Sequence, residues 1–261
     1  LLKKLVSEDS LSRKEALLLF KEADVPCDEM YQVFLFSTLV PTERDNSNSF
    51  DYNAILRTVF NPLQNACQLS LSALGIKPII YLAASSAAYM VYGKSEADFE
   101  LIFDAMKKIR AQFSAPGGSC GLVLSSSCII EDIMGIDKAY QQALYTASLI
   151  RGGVIADNIY SFADLGSYQL PFFIEDKARL LAFRDQYLGE LHKNEQLLET
   201  LRAYLSFNGN MLRTAESLYI HRNTLSYRLE RIEALTGRRL SDMETVRDLL
   251  NALMILDIYP Y

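Results

Sequence analysis

The chain has 261 residues and a formal net charge of −6; half of its residues are hydrophobic and 22% are charged. This length is sufficient for two compact domains, and this composition excludes disordered, collagen-like and low-complexity proteins. No apolar run reaches the roughly 18 residues needed to span a bilayer, and acidic residues follow the first apolar residues too closely for a signal peptide, so we expect a cytoplasmic protein with no membrane association.

Residues 1–24 are predicted to form a helical lead-in of one or two short amphipathic helices, which Pro26 ends. The chain does not begin with Met, so we expect a further domain upstream. The apolar residues of the lead-in are Leu11, Ala16, Leu17, Leu18, Leu19 and Phe20.

Residues 25–170 alternate between strand patterns, rich in β-branched and aromatic residues, and helix patterns with apolar residues at 3.6-residue spacing. Pro62 falls inside the first helix pattern, so we expect a kink or a break there. The predicted elements are a strand over 31–39, a loop over 42–49, a helix over 51–74, a hairpin of strands over 79–84 and 88–92, a helix over 95–113, a strand over 120–126, a helix over 131–150 and a strand over 159–162. The order β-α-β-β-α-β-α-β predicts a mixed α/β or α+β domain whose helices pack against one sheet.

Residues 171–194 are predicted to form a linker, most of it a long helix over 174–192. Residues 195–261 are predicted to form an all-helical domain. Its helices are expected over 195–207, from the capping residue Asn210 to Leu218, over 221–235, and after a capping box at residues 241–244.

The spacing of residues 215–229 satisfies the requirements of a helix-turn-helix. Ala215 supplies a small residue where two helices cross, Ile220 supplies an apolar plug in the turn, and Leu225 and Leu229 anchor the second helix. This spacing predicts that the helix beginning at residue 221 is a recognition helix.

The polar side of that helix is predicted to face away from the buried stripe. At 100° per residue, Asn223, Tyr227 and Arg231 point outward, and Thr224 and Ser226 lie on the flanks. Asn reads adenine edges, Arg reads guanine or phosphate, and Thr meets a base or a thymine methyl group. The alternative is an ordinary solvated face of a helical bundle.

Two further features favour DNA over a solvated face. His221 and Arg222 lie at the helix N-terminus, where the dipole and free amides attract phosphate. Residues 211–239 contain six arginines and three glutamates, so this region is positive within an acidic chain. Phosphate attraction depends on such a local surface rather than on the net charge.

The same residues resemble the C-terminal helix-turn-helix of the PucR/CdaR family, bacterial transcription regulators of purine catabolism and sugar-diacid use. The resemblance covers about a quarter of the chain. It is carried by Asn210, Ala215, Leu218, the run Ile220-His221-Arg222-Asn223-Thr224-Leu225, Tyr227, Arg228, Leu229, Ile232 and the pair Thr236-Gly237. Residues 25–170 are similar, in element order alone, to the degenerate GGDEF-like domain of that family, which is ferredoxin-like or cyclase-type.

The resemblance implies a sequence-specific DNA-binding regulator of a metabolic operon. Its expected partners are double-stranded DNA, a second copy in a homodimer and a small-molecule effector sensed upstream or in the α/β domain, with two recognition helices in successive major grooves. It implies base contacts by Arg222, Asn223, Thr224 and Tyr227. Arg228 and Arg231 are expected to contact phosphate or to brace the helix, and Arg228 projects nearer the buried flank. Tyr219 occupies a turn position where many helix-turn-helix units have Gly, and Glu230 would repel phosphate unless an arginine pairs with it.

A nucleotide cyclase is the enzymatic alternative. An active GGDEF hairpin holds two glycines and two acids, whereas residues 83–89 contain no carboxylate. Neither histidine lies in a nucleophile motif, and the four cysteines include no CxxC pair, so we expect no enzymatic activity, no cofactor, no metal site and free thiols. The remaining alternative is a non-catalytic signalling or interaction module with a ligand-binding GGDEF-like domain, whose helical end binds protein. Steep salt dependence and a preferred operator would favour the regulator.

Overall fold

The computed structural model describes residues 1–7, 11–39, 56–83, 85–113 and 121–260. The chain divides into two compact units, Leu1–Gln169 and Leu170–Tyr261. Within the described ranges, no helix has both the length and the apolar composition needed to cross a bilayer.

The first unit combines helices with a five-stranded sheet. Its helices are α1 (Leu2–Ser7), α2 (Arg13–Glu22), α3 (Asn61–Ala73), α4 (Glu96–Phe113) and α5 (Ile136–Arg151). Its strands are β1 (Met30–Thr38), β2 (Ile79–Ala83), β3 (Ser86–Gly93), β4 (Leu122–Ser126) and β5 (Ile159–Ser161). This order confirms the predicted succession of strands and helices from β1 to β5. The predicted loop over 42–49 lies outside the described residues.

The strand order across the sheet is β2-β3-β1-β4-β5. β1 is antiparallel to both of its neighbours, with Phe34 opposite Tyr89 on β3 and opposite Ser126 on β4. β2 is antiparallel to β3, whereas β4 and β5 are parallel. The central strand is thus β1, the first strand of the chain.

Both faces of the sheet are covered, which explains why β1 is buried on both sides and mostly apolar. Tyr31, Val33 and Leu35 pack into a core with residues of α1, α2 and α5. Phe34 and Phe36 enter a second core with residues of α3 and α4. Helices α1 and α2 therefore contribute to the core of the first unit.

Local features shift several predicted boundaries. The predicted helix over 51–74 is described from residue 56, as a π-helical turn (Leu56–Phe60) followed by α3, with Pro62 in the first turn of α3. The predicted helix over 131–150 begins as a 3-10 turn, Ile133–Gly135, because the Asp132 side chain accepts a hydrogen bond from the backbone N–H of Met134.

The second unit is helical. Its α-helices are α6 (Lys177–Leu188), α7 (Glu195–Ser206), α8 (Met211–Ser217), α9 (Arg222–Thr236) and α10 (Met243–Ile258). The predicted long helix over 174–192 is shorter in the structure. Asp176 caps its start by accepting the N–H of Ala178, and Gly189, at φ +50°, ends it. The predicted capping box at 241–244 is also displaced, because Asp242 rather than Ser241 is the N-cap and accepts from the N–H groups of Glu244 and Thr245.

Leucine and isoleucine side chains from several helices form the core of this unit, among them Leu201 on α7, Leu225 and Ile232 on α9, and Leu249 on α10. Arg184 on α6 is buried, and its Nη1 donates to the carbonyl oxygen of Tyr259 at 2.6 Å. A cation at the C-terminal end of α10 complements the partial negative charge of that helix end.

Candidate nucleic-acid interface

The interior of the α8–α9 pair agrees with the predicted helix-turn-helix. Ala215, Leu225 and Leu229 are buried, and Ile220 is half-buried against the same core. Leu212, which the sequence places on the same short helix, is instead 67% exposed. The buried residues hold α9 against α7 and α8 and leave its opposite side in solvent.

The turn between α8 and α9 is a Schellman motif. The N–H of Ile220 donates to the carbonyl of Ala215 at 3.0 Å, and the N–H of Tyr219 donates to that of Glu216 at 3.1 Å. Tyr219 has a φ of +54°, in the left-handed region, and occupies the C′ position of the motif. Two hydrogen bonds thereby fix the direction in which the chain enters α9.

The start of α9 is capped by His221, which lies just outside the helix rather than in its first turn as predicted. Its Nδ1 accepts a hydrogen bond from the backbone N–H of Asn223 at 3.2 Å. With Nδ1 as the acceptor, the proton of the neutral ring is on Nε2. This leaves Nε2–H free of the cap and available as a donor.

Most of the predicted site residues share the solvent face of this helix. Those that are exposed are His221, Arg222, Asn223, Thr224, Tyr227 and Arg231, whereas Ser226 and Arg228 are half-buried. Asn223, Tyr227 and Arg231 lie opposite the stripe formed by Leu225, Leu229 and Ile232, whereas His221 and Arg222 are exposed at the N-terminal end of the helix. The structure thus brings together on one end and one face of α9 the side chains that the sequence singles out.

Residues 197–255 match the family model for the PucR C-terminal helix-turn-helix domain. This segment is a PucR-type helix-turn-helix domain. The match covers α8 and α9 completely and most of α7 and α10.

Three relatives carry regulatory names. They are the proline-responsive transcriptional activator PutR of Bacillus subtilis (35% identical over 132 residues), the purine catabolism regulatory protein of the same organism (42% over 131 residues) and the carbohydrate diacid regulator of Escherichia coli (33% over 127 residues). The matched stretches make up 48%, 49% and 47% of this chain but only 32%, 24% and 32% of the relatives. The chain thus matches no more than about a third of the length of any of the three.

One solved structure spans nearly the whole chain, the regulator of polyketide synthase expression from Bifidobacterium adolescentis. It covers 99% of this chain and 91% of its own length at 14% identity, with a TM-score of 0.44. A similarity this low establishes neither a shared fold nor a shared function.

Arg228 has a structural contact within the PucR-type domain. Its Nη1 donates to Oγ1 of Thr200 on α7 at 3.2 Å, and that hydroxyl donates in turn to the carbonyl of Gln196. Of the two roles expected for Arg228, phosphate contact or bracing, this geometry favours bracing of α9 against α7.

The arginines of residues 211–239 divide into exposed and packed groups. Arg213 and Arg239 are exposed, like Arg222 and Arg231. Arg238 instead lies over the ring of Tyr187, 3.9 Å from its centroid. The positive charge available to a ligand is therefore smaller than the sequence count suggests.

Two exposed residues near α9 fall outside the set predicted to contact DNA. Arg213 lies in the first turn of α8, where its backbone N–H is bonded to the cap Asn210, and Tyr219 occupies the turn. In the sequence, the exposed position of Arg213 is indicated by its place three residues after a capping Asn. The unusual position of Tyr219 is indicated by a bulky residue where Gly is common.

The cysteines lie outside the helix-turn-helix. Cys27, Cys67 and Cys128 are free thiols, and burial raises the pKa of Cys67 to about 12, while Cys120 lies outside the described residues. In the described part of the chain, no group of three His, Cys, Asp or Glu side chains is placed to hold a metal ion.

Proposed function

We propose that this chain is the DNA-binding part of a sequence-specific transcription regulator of the PucR/CdaR type. The observation that carries the proposal is the exposed polar face of α9, opposite a buried apolar stripe, in a PucR-type domain. The names of the relatives, one activator and two regulators, support the same function.

The proposed roles follow the exposure of each side chain. Arg222, Asn223, Thr224 and Tyr227 contact base edges, His221 and Arg231 contact phosphates, Ser226 lies at the edge of the interface, and Arg228 positions the helix. Base contacts supply specificity, and phosphate contacts supply affinity and orientation. Glu230 is also exposed, and it opposes phosphate on that side of α9.

The assembly that fits this function is a homodimer on double-stranded DNA. Two α9 helices separated by one helical turn, about 34 Å, would occupy successive major grooves of a roughly palindromic operator. We place the DNA-binding domain at residues 195–261, a linker at 171–194, a GGDEF-like domain at 25–170 and a helical lead-in at 1–24. The element order of the first unit supports the GGDEF-like assignment, and the absence of carboxylates from residues 83–89 supports a non-catalytic role.

The regulator acts in the cytoplasm on a metabolic operon, in response to a small-molecule effector sensed in the first unit or upstream. This function involves no catalytic step and requires neither a cofactor nor a metal ion.

The decisive experiment compares specific with nonspecific binding. Selection from random duplexes with the whole chain would supply the operator. Asn223→Ala is then expected to weaken operator binding by about 5- to 150-fold, the equivalent of losing a bidentate base contact of about 1–3 kcal/mol, and to change binding to an unrelated duplex much less.

Asn65→Ala is the matched control, because Asn65 is an exposed helical asparagine in the first unit. It should bind both duplexes as the unmodified chain does. Equal weakening of Asn223→Ala on all sequences contradicts base reading, and binding that ignores both salt and sequence favours the protein-interaction alternative.

A further inference from the structure

Tyr219 combines an unfavourable backbone conformation with near-complete exposure. Its φ is +54°, and its relative exposure of 97% is greater than that of Tyr227, at 68%, on the recognition helix. It stands at the C′ position of the turn, two residues before the capping His221. Left-handed backbone is costly for a residue with a bulky side chain.

Neighbouring turns of the chain show the usual solution. Of the described residues with positive φ, the other non-glycines are Asp24 and Asn208, whose short polar side chains tolerate this conformation. Gly237 occupies the equivalent left-handed position after α9. Glycine at 219 would make the same two turn hydrogen bonds, since both are made by backbone atoms.

Packing among the described residues does not account for the tyrosine. A side chain that is 97% exposed buries almost no apolar area, so it contributes almost nothing to the core. Ile220, the next residue, supplies the apolar contact of the turn. The ring and hydroxyl of Tyr219 are therefore available to a partner outside this chain.

We propose that Tyr219 contacts the sugar-phosphate backbone of DNA, with its ring against a deoxyribose and its hydroxyl donating to a phosphate oxygen; this rests on the proposed function of the domain. When the first residues of α9 enter a major groove, the segment leading into them passes the rim of the groove, where the backbone lies. An aromatic ring with a polar tip suits a surface that is apolar at the sugar and charged at the phosphate.

Tyr219→Gly separates this role from a structural one. Affinity for the selected operator and for an unrelated duplex should fall by the same factor, roughly tenfold, because backbone contacts carry no sequence information. The slope of log K against log salt should stay unchanged, because the lost side chain is uncharged. The Tm of the whole chain should stay the same or rise by a few degrees, since glycine relieves the left-handed conformation. Tyr219→Phe, which keeps the ring, should lose less affinity than Tyr219→Gly.

Three results would overturn the inference. Undiminished affinity of Tyr219→Gly for both duplexes removes the contact. A lowered Tm together with weaker binding identifies Tyr219 as a structural residue of the turn. A loss confined to the operator assigns it to base reading instead. If the unmodified chain ignores duplex DNA at low salt, the proposed function itself fails and this inference fails with it.

Discussion

Two arginines one turn apart on α9 have different surroundings, and replacing each with alanine separates DNA contact from helix support. Arg231 is exposed on the outer side of the helix, whereas Arg228 is half-buried and bonded to Thr200 on α7. We expect Arg231→Ala to change DNA binding and Arg228→Ala to change stability.

The magnitude for Arg231 follows from counterion release. Each phosphate contact contributes about 0.9 to the slope of log K against log salt, so its loss on both helices of a dimer lowers the slope by about 1.8. Because Arg231 makes no base contact in the proposed interface, operator and unrelated duplex should be affected alike. Its removal should leave Tm within the scatter of surface substitutions.

The magnitude for Arg228 follows from its hydrogen bond. A side-chain hydrogen bond of this kind contributes about 1 kcal/mol to the free energy of unfolding. For a unit of the size of Leu170–Tyr261, this corresponds to a decrease in Tm of about 4–8 °C. The affinity of the folded Arg228→Ala variant for DNA should change only if the loss of this hydrogen bond shifts α9.

Fluorescence anisotropy with labelled duplexes at several salt concentrations gives the slopes, and circular dichroism of the whole chain gives the Tm. An unchanged salt slope for Arg231→Ala would show that Arg231 makes no phosphate contact. A reduced slope with unchanged Tm for Arg228→Ala would show that Arg228 contacts phosphate rather than supporting the helix. Either result would refute the reasoning.

Two further predictions concern the support of α9. Ala215→Leu overfills the buried contact between α8 and α9 and should lower the free energy of unfolding by about 1–3 kcal/mol in urea titrations. Leu212→Ala, at an exposed position on the same helix, should change that free energy little. Equal effects of the two substitutions would mean that the site of Ala215 can accommodate a larger side chain. Hydrogen bonds from the Thr245 side chain and from the backbone N–H groups of Thr245 and Glu244 hold the pKa of Asp242 below its ordinary value. The ionised carboxylate therefore stabilises the fold at any pH above the ordinary pKa, and this stabilisation is lost as the pH falls through the lowered pKa. Asp242→Asn should therefore have a lower urea midpoint than the unmodified chain at pH 7 and an equal one once the pH is below the lowered pKa; a difference independent of pH would show that the charge is not involved.

Periodicity and spacing were sufficient to predict the order of elements and the interior of the helix-turn-helix. A run of β-branched and aromatic residues predicts a buried strand, and helical spacing of apolar residues predicts a buried stripe. The strand around Phe34 and the stripe Leu225, Leu229 and Ile232 could therefore be predicted without any tertiary information. The sheet order could not, because strand neighbours depend on partners far apart in sequence.

The details that the sequence did not determine depend on single contacts in the folded chain. Ser241 and Asp242 are both good capping residues, and only the structure shows which of them bonds to the first helical amides. The role of Arg228 depends on Thr200, a residue of another helix. The sequence shows Tyr219 at a turn position where glycine is common, but only the structure shows that its backbone is left-handed.

The central position of β1 affects how the chain folds during synthesis. β1 pairs with β4, for example Phe34 with Ser126, so a nascent chain leaving the ribosome cannot complete the sheet until most of the first unit has been synthesised. The helical unit also waits for a late partner, because α6 packs against α10, where Arg184 bonds to the carbonyl oxygen of Tyr259. Until its partners emerge, the apolar β1 strand stands unpaired, and this interval is when the nascent chain is most prone to aggregate.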